Sequence, residues 1–177
     1  METIEKGLSK SKIWWWFILI FVCLGSREYQ FDRLLIELDQ IVEEELISED
    51  IFAQIGKSIY KPKNFQYTDF LSSADFEKYQ EKASLIISHG GTGALINALK
   101  KGKSVIAVPR LAKFGEHIDD HQVEVASILE REGYLKCVID IKDLHNVIKE
   151  MKKNPINKKY DKNSQVISII RDFIKRN

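Results

Sequence analysis

The sequence predicts an α/β protein with a Rossmann-like parallel sheet and helices on both faces. Several short apolar runs end at glycine or proline, as expected for strands that are buried on both faces. Segments with helical spacing of apolar residues alternate with these runs. The chain has 177 residues, of which 44% are hydrophobic and 30% charged, enough for one domain with a sizeable core.

The first half of the chain begins with the most apolar run. Ile18–Cys23 is continuous and apolar, and Gly25 follows it, so we predict a buried strand that ends in a turn. Tyr29–Glu45 has the apolar spacing of a helix. The elements predicted next are strands Ile51–Ile55 and Tyr67–Leu71, with Pro62 in the loop between them, and a helix Asp75–Ala83 capped by Ser72 or Ser73.

The second half repeats the alternation. The predicted strands are Ser84–Ser88, Ser104–Val108 and Leu135–Ile139, and the predicted helices are Ala94–Lys101, Asp120–Glu132 and Lys142–Lys152. Gly102 and Gly133 follow two of these helices, as C-terminal caps do. After the polar break Asn154–Asn163, an amphipathic helix is predicted over Ser164–Lys175. Its apolar face can pack on the sheet, dock on a partner or bind lipid.

Charge and cysteine content exclude two classes of function. There are 27 Lys and Arg residues against 26 Asp and Glu, a formal charge of +1, so no nucleic-acid partner is predicted. The two cysteines, Cys23 and Cys137, are far apart and form neither a disulfide framework nor a paired-cysteine metal site.

The N-terminal apolar stretch has several interpretations. Ile13–Leu24 is shorter than the about 20 residues of a spanning helix. A signal peptide with Lys6, Lys10 and Lys12 before the apolar region is an alternative, but its cleavage site is poor. We favour an extension over residues 1–17, a ligand-binding domain over 18–153, and a linker with a terminal helix over 154–177. The extension contains Trp14–Phe17, which suits a membrane interface or an apolar edge.

Glycines between a strand and a helix predict an anion site. Ser88–Ala94 reads Ser-His-Gly-Gly-Thr-Gly-Ala, and such a turn brings backbone N–H groups and a helix N-terminus close to a ligand. A phosphate is the expected guest, and the alternative is a tight turn without ligand. Gly25-Ser26-Arg27 follows the first strand and is expected at the same carboxyl edge of the sheet, where open α/β sheets bind ligands.

The loop after Val108 concentrates polar groups. Phe114–Gln122 contains three acids, two histidines and a glutamine, a set of donors and acceptors that suits sugar hydroxyls. A metal bound by His117 and His121 is the alternative. We predict no metal, because Asp119 and Asp120 indicate a helix start that leaves His117 in the loop.

These motifs occur in one familiar order: Gly25–Leu34, Gln54–Gly56, His89–Gly93, Val108–Arg110, Phe114–His117 and Asp120–Gln122. Over about Ile18 to Leu144 the chain resembles the small subunit of two-part bacterial capsule and exopolysaccharide glycosyltransferases. It is also similar to the eukaryotic catalytic subunit that adds the second GlcNAc to dolichol-diphosphate, and to the C-terminal half of the peptidoglycan GlcNAc transferase.

The resemblance implies the C-terminal half-domain of a GT-B glycosyltransferase. It implies inverting transfer of a hexose from a UDP-sugar to an undecaprenyl-diphosphate-linked sugar, without metal or other cofactor. The expected partner is a membrane-anchored subunit that binds this lipid-linked acceptor. The expected location is the cytoplasm, peripheral to the inner face of the plasma membrane through that partner.

The resemblance also implies roles for individual residues. Glu116 and His117 are the catalytic candidates, and the general base is one of these two or a group supplied by the partner. The donor-binding candidates are Gly25, Ser26, His89, Gly90, Gly91, Thr92, Gly93, Asn97, Arg110, His121 and Gln122. The chain departs from the family pattern at Ser26-Arg27, where Thr-His is usual, at Asn97, where related enzymes often have a carboxylate, and in the extension Met1–Phe17.

Two rival functions remain open at this point. One is a non-catalytic subunit that binds or activates a partner glycosyltransferase, and UDP binding by the isolated chain discriminates between the two. The other is a different nucleotide-sugar enzyme such as an epimerase, and the missing Gly-x-Gly-x-x-Gly motif argues against it.

Overall fold

A six-stranded, fully parallel sheet forms the centre of the protein, with helices on both faces as predicted. The computed structural model describes residues 19–160 together with Ser168 and Asp172. The strands are β1 (Leu19–Cys23), β2 (Asp50–Gln54), β3 (Gln66–Thr68), β4 (Leu85–His89), β5 (Ser104–Val108) and β6 (Lys136–Cys137). The helices are α1 (Asp32–Glu43), α2 (Ser73–Lys82), α3 (Thr92–Lys100), α4 (His121–Arg131) and α5 (Leu144–Lys153).

The apolar strands are buried on both faces because successive side chains point to opposite sides. On β1, Ile20 and Val22 face the core layer under α1 and α5, while Phe21 and Cys23 face the layer under α2, α3 and α4. Strands β4 and β5 divide their residues in the same way. This double burial explains why the central strands have continuous rather than alternating hydrophobicity.

The strand order places a crevice between β1 and β4. The order across the sheet is β3-β2-β1-β4-β5-β6, so the chain first builds outward from β1 and then returns to its other side. Val22 of β1 pairs with Ala53 of β2 on one side and Ile87 of β4 on the other. The loops after β1 and β4 therefore diverge at the carboxyl edge, the usual ligand position in open α/β sheets.

Most predicted elements are confirmed, with shifted ends. Strand β5 matches its prediction, and Ser72 caps α2 by accepting a hydrogen bond from the Asp75 N–H. Helix α1 begins at Asp32 and not at Tyr29, because Gln30 Oε1 accepts from the Asp32 N–H and Ser58 Oγ accepts from the Phe31 N–H. The predicted helix over Lys142–Lys152 is a 3-10 turn, Ile141–Asp143, followed by α5.

Two sequence predictions fall mainly outside the described residues. The extension over residues 1–17 lies outside them. The terminal helix Ser164–Lys175 does too, apart from Ser168 and Asp172, which are helical and exposed. The strand prediction for Ile18–Cys23 is confirmed over Leu19–Cys23. In the part of the chain that the structure describes, no helix is long and apolar enough to cross a bilayer.

A buried carboxylate anchors the loop between β2 and β3 to α1. Asp39 is 3% exposed and accepts hydrogen bonds from Tyr60 Oη at 2.6 Å and from the backbone N–H groups of Lys63 and Asn64. Burial acts to raise the pKa of Asp39, but these hydrogen bonds outweigh it and the pKa is lowered. The same interaction raises the pKa of Tyr60 to about 12.

Replacing Asp39 with Asn tests this anchor. Asp39→Asn removes the charge and places an amide donor against N–H donors, so we expect the free energy of unfolding to fall by about 2–3 kcal/mol at neutral pH. A lowered folded pKa stabilises the protein above the unfolded value of 3.8, and that contribution disappears as the pH falls through the folded pKa. Urea unfolding at pH 7 and pH 3 measures both effects, with exposed Asp143→Asn as control. Equal losses in the two variants would contradict the assignment.

Candidate functional site

A cleft of about 690 Å³ opens at the carboxyl edge of the sheet, where the loops after β1, β4 and β5 meet. Its lining confirms that the sequence motifs come together in space. The predicted site residues on its wall are Gly25, Ser26, His89, Gly90, Gly91, Thr92, Gly93, Arg110, His117, His121 and Gln122. Arg27, Ile118 and Asp119 line it as well.

The His89 ring lies between two glycine turns and requires both of them. Gly25 has φ +77°, and a Cβ there would lie 2.7 Å from His89 Cε1 and Nε2. A Cβ at Gly91 would collide with His89 Nε2. Nδ1 of the ring lies 3.2 Å from the carbonyl oxygen of Cys23, so Nδ1 carries the proton and Nε2 is an acceptor.

Burial and the nearby charge of Arg110 lower the pKa of His89 to about 4, although the hydrogen bond to the Cys23 carbonyl opposes the shift. The imidazole is therefore neutral at pH 7. His89 acts as a rigid spacer between the glycine turns and adds no positive charge of its own to the cleft.

The N-termini of two helices point into the cleft. Helix α3 begins at Thr92 after the N-cap residue Gly91, which has no side chain to cap the first N–H groups, and its first turn has no acid. Gly93, predicted as part of a turn, is the second helical residue. Helix α4 begins at His121, and its N-cap Asp120 makes no side-chain capping hydrogen bond. Among the described residues, the first N–H groups of α3 have no side-chain cap, and with the helix dipole they favour an anion. Helix α4 contributes less, because its His121 N–H donates to Asp119 Oδ1 and Glu124 lies in its first turn.

Arg110 is a buried cation on the wall of this cleft. The side chain is 2% exposed, its Nη2 donates to the carbonyl oxygens of Leu24 at 2.6 Å and Tyr29 at 3.2 Å, and its guanidinium lies 5.3 Å from the Phe31 ring centroid. Burial lowers the pKa of Arg110 to about 10, and the Glu116 carboxylate opposes the shift, so the group stays charged at neutral pH. Among the described residues, its buried Nε has no hydrogen-bond partner.

Gln122 contacts both the loop after β5 and the glycine turn after β4. Its Oε1 accepts from the Arg110 backbone N–H at 3.1 Å, which leaves the Nε2 donors facing the cleft. Gln122 also explains why residue 90 is glycine, because a Cβ at that position would lie 2.7 Å from the Gln122 Cβ.

An imidazole–carboxylate pair stands at the mouth of the cleft. His117 Nδ1 lies 3.1 Å from Asp119 Oδ1, and the ring packs against Tyr29 with centroids 4.9 Å apart. The Asp119 backbone N–H also approaches Nδ1, at 3.4 Å. We assign the proton to Nδ1 because this satisfies the shorter contact, to the carboxylate oxygen, and Nε2 is then an acceptor. His121 Nε2 lies 3.9 Å from Asp119 Oδ2. Asp119 thus orients the imidazole of His117, a role that sequence reasoning did not give it.

Glu116 does not reach the cleft, and the prediction that it acts on the substrate directly disagrees with the structure. Its carboxylate is 1% exposed and forms a two-pronged ion pair with Arg33, with both N–O distances at 2.9 Å. Oε2 also accepts from the Leu111 N–H at 2.9 Å. Three hydrogen bonds inside the protein thus engage the carboxylate, and Glu116 holds the loop after β5 in place.

Asn97 also lies away from the cleft. It is on the second turn of α3, where its Nδ2 donates to Gln80 Oε1 of α2 at 3.1 Å. The predicted donor-binding role therefore has no support from its position. Arg33, conversely, was not predicted as a site residue. No local pattern marks it, because its partners Glu116 and the Pro109 carbonyl are far away in sequence.

Neither metal nor thiol chemistry is organised here. No group of three or more His, Cys, Asp or Glu side chains in the described part of the chain is arranged to hold a metal ion. Burial raises the pKa of Cys23 to about 11 and that of Cys137 to about 12, so both thiols are protonated at neutral pH.

Comparison with known proteins identifies the family. The model of the glycosyltransferase family 28 C-terminal domain matches residues 19–176. The chain belongs to this family. The UDP-N-acetylglucosamine transferase subunit ALG13 of Candida albicans is 28% identical over 114 residues, which cover 64% of this chain and 37% of that protein.

Solved structures support the same fold for this family 28 domain. A glycosyltransferase of kitacinnamycin aligns over 91% of this chain and 43% of its own, with a TM-score of 0.61 and 16% identity. An NMR structure of ALG13 aligns over 89% of this chain and 95% of its own, with a TM-score of 0.55 and 16% identity. The architecture is that of the C-terminal half of GT-B glycosyltransferases.

Protonation of His89 provides a test of the cleft geometry. An unfolded histidine takes up a proton near its ordinary pKa of 6.5, whereas the folded ring stays neutral down to about pH 4. Stability should therefore fall as the pH drops from 6.5 to 4, with a slope of about 1.4 kcal/mol per pH unit from this group. His89→Asn keeps a donor toward the Cys23 carbonyl and should flatten that slope. An NMR titration in which the His89 ring protonates near pH 6.5 would contradict the assignment.

The Arg33–Glu116 pair provides a test of the structural role of Glu116. Glu116→Gln leaves the partly buried Arg33 guanidinium without its counterion, so we expect the free energy of unfolding to fall by about 3 kcal/mol. Asp69→Asn, which breaks the exposed Lys61–Asp69 pair, should cost less than about 1 kcal/mol. Thermal unfolding compares the two. A Glu116→Gln protein as stable as wild type would restore Glu116 as a candidate for direct catalysis.

Proposed function

We propose that this family 28 domain is the donor-binding, catalytic subunit of a hexosyltransferase. It transfers a hexose from a UDP-sugar to an undecaprenyl-diphosphate-linked sugar in capsular or exopolysaccharide synthesis. A membrane-anchored partner holds the acceptor, and this chain stays in the cytoplasm, peripheral to the membrane through that partner. The observation that carries the proposal is the convergence of two helix N-termini and Arg110 on one cleft.

A diphosphate matches the electrostatics of this cleft. Arg27 and Arg110 line it against one carboxylate, Asp119, among the described residues. In the transition state of sugar transfer, negative charge grows on the departing UDP as the bond from the sugar anomeric carbon to phosphate oxygen breaks. Preorganised N–H groups and a buried guanidinium stabilise such charge without a metal ion. This is the support for a metal-independent reaction.

His117 is our candidate general base. In an inverting transfer, the acceptor hydroxyl oxygen attacks the anomeric carbon from the face opposite UDP and gives its proton to a base. With Nδ1–H donated to Asp119, Nε2 of His117 is free to take that proton. Donors on Gln122 and the half-exposed His121 side chain are placed to select the sugar by its hydroxyl groups.

The relatives support a nucleotide-sugar donor and a partner polypeptide. The ALG13 proteins are named as subunits of a UDP-N-acetylglucosamine transferase, and the chain spans about a third of the Candida albicans relative. A protein named as a subunit acts with another polypeptide, and we assign the acceptor-binding part to that partner.

Gly93 offers the sharpest test of the diphosphate site. A Cβ there would meet no atom within 4 Å, so Gly93→Val should fold, whereas Gly91→Val would collide with His89 and confound the result. The valine side chain would shield the N–H groups of α3, so we expect UDP affinity to fall at least about tenfold with an unchanged melting temperature. Calorimetric titration of UDP measures this, with Lys100→Val on the same helix as control.

The outcomes separate the proposal from its rival. Unchanged UDP affinity in folded Gly93→Val would reject the diphosphate assignment. A wild-type chain that binds no UDP would favour a non-catalytic, activating subunit. A screen of UDP-sugars with the assembled pair and a lipid-linked acceptor then identifies the donated hexose.

A further inference from the structure

A second concavity, which we call the α1 groove, lies beside the cleft on the α1 side of the sheet. Its volume is about 570 Å³, and its apolar lining comes from Ile36, Ile59, Phe114 and Ile141. Ile36 is 48% exposed, Phe114 49% and Ile59 79%. Large apolar side chains that share one groove and stay this accessible are typical of a protein interaction surface.

The groove is preformed. The backbone N–H of Ile59 donates to Asp32 Oδ1 at 2.9 Å, which holds the isoleucine side chain outward at the start of α1. The Arg33 guanidinium lies 5.0 Å from the Phe114 ring centroid and is itself fixed by Glu116. A partner that binds here loses little freedom in ordering these side chains, which favours affinity.

The continuous segment 19–160 begins and ends away from the groove. Strand β1 begins at Leu19, at the amino edge of the sheet, whereas the groove lies toward the carboxyl edge. Tyr160 packs against Tyr134 in the core layer of α3 and α4, on the face opposite α1. A separate polypeptide is the occupant that the charges and the loop shared with the cleft favour.

The charges around the groove indicate the chemistry of that polypeptide. The groove carboxylates are all engaged: Asp32 with backbone N–H groups, Glu37 with Lys142, and Glu116 with Arg33. Lys113 lies 4.9 Å from the Phe114 ring centroid and has no acidic partner among the described residues. A carboxylate on the partner would complement this lysine.

The α1 groove and the cleft share one loop. Phe114 and Glu116 form a wall of the groove, and His117, Ile118 and Asp119, which follow directly, line the cleft. We propose that the α1 groove docks an apolar segment, flanked by a carboxylate, of the acceptor-binding subunit. This inference rests on the proposed function, and it places the acceptor beside His117.

The test removes the apolar surface without changing charge. The double variant Ile36→Gln/Ile59→Gln should weaken assembly with the co-expressed, membrane-anchored acceptor-binding subunit about 100-fold, since two apolar side chains lose their burial. Leu46→Gln is the matched control, because Leu46 is 43% exposed at the other end of α1 and does not line the groove. Lys113→Glu should also weaken assembly. Melting temperature and UDP affinity should stay at wild-type values in all three.

Several results would overturn the inference. One is wild-type assembly by the double variant, and another is failure of the wild-type chain to assemble with that subunit. Sedimentation showing a wild-type dimer that the double variant dissociates would make the groove a self-interface. Loss of binding to phosphatidylglycerol vesicles in the double variant would make it a lipid surface. Failure of UDP to bind, with assembly still dependent on the groove, would reject the proposed donor function and leave the docking inference in place.

Discussion

The site depends on one buried carboxylate, Glu116, and the two arginines around it. Arg33 holds both of its oxygens from α1, and the Leu111 N–H adds a third bond from the loop that follows β5. Arg110 lies close enough for the carboxylate to support its charged form. One negative charge against two guanidinium groups leaves a net positive charge beside the cleft. A phosphate in the cleft is the natural complement of that excess.

At the other side of the cleft, His89 holds the backbone in place. Parallel strands β1 and β4 run side by side, and their loops must part at the carboxyl edge because the chain turns to opposite faces of the sheet. The neutral imidazole fills the space at this parting and is fixed to the Cys23 carbonyl. Two glycines give it room. Because glycine has no side chain, the same turn also leaves the N–H groups of α3 accessible to a ligand.

The loop between β5 and α4 lines the cleft on one side and the α1 groove on the other. It spans residues 109–120 and contains a 3-10 turn at Ala112–Phe114, and side-chain hydrogen bonds hold its shape. Asp120 Oδ1 accepts from the Ala112 N–H, and Gln122 Oε1 accepts from the Arg110 N–H. Because Phe114 and His117 are three residues apart on this loop, a partner that contacts one constrains the other. The arrangement suits an enzyme whose donor and acceptor are held by different polypeptides.

Hydropathy and turn signals along the chain predict the layers of the fold and the position of the cleft. Double burial gives strands such as Ser104–Val108 a continuous apolar pattern, and the Ser72 cap and the glycine turn after His89 are local signals. The three-dimensional structure was needed to establish what Glu116 does, because its partner Arg33 is 83 positions away and no periodicity in the sequence predicts that contact. It likewise placed Asn97 against Gln80 and paired His117 with Asp119. Hydropathy patterns and local hydrogen bonds involve residues that are close in sequence, so they can be predicted from it. A buried ion pair between distant residues forms only when the fold brings the two segments together.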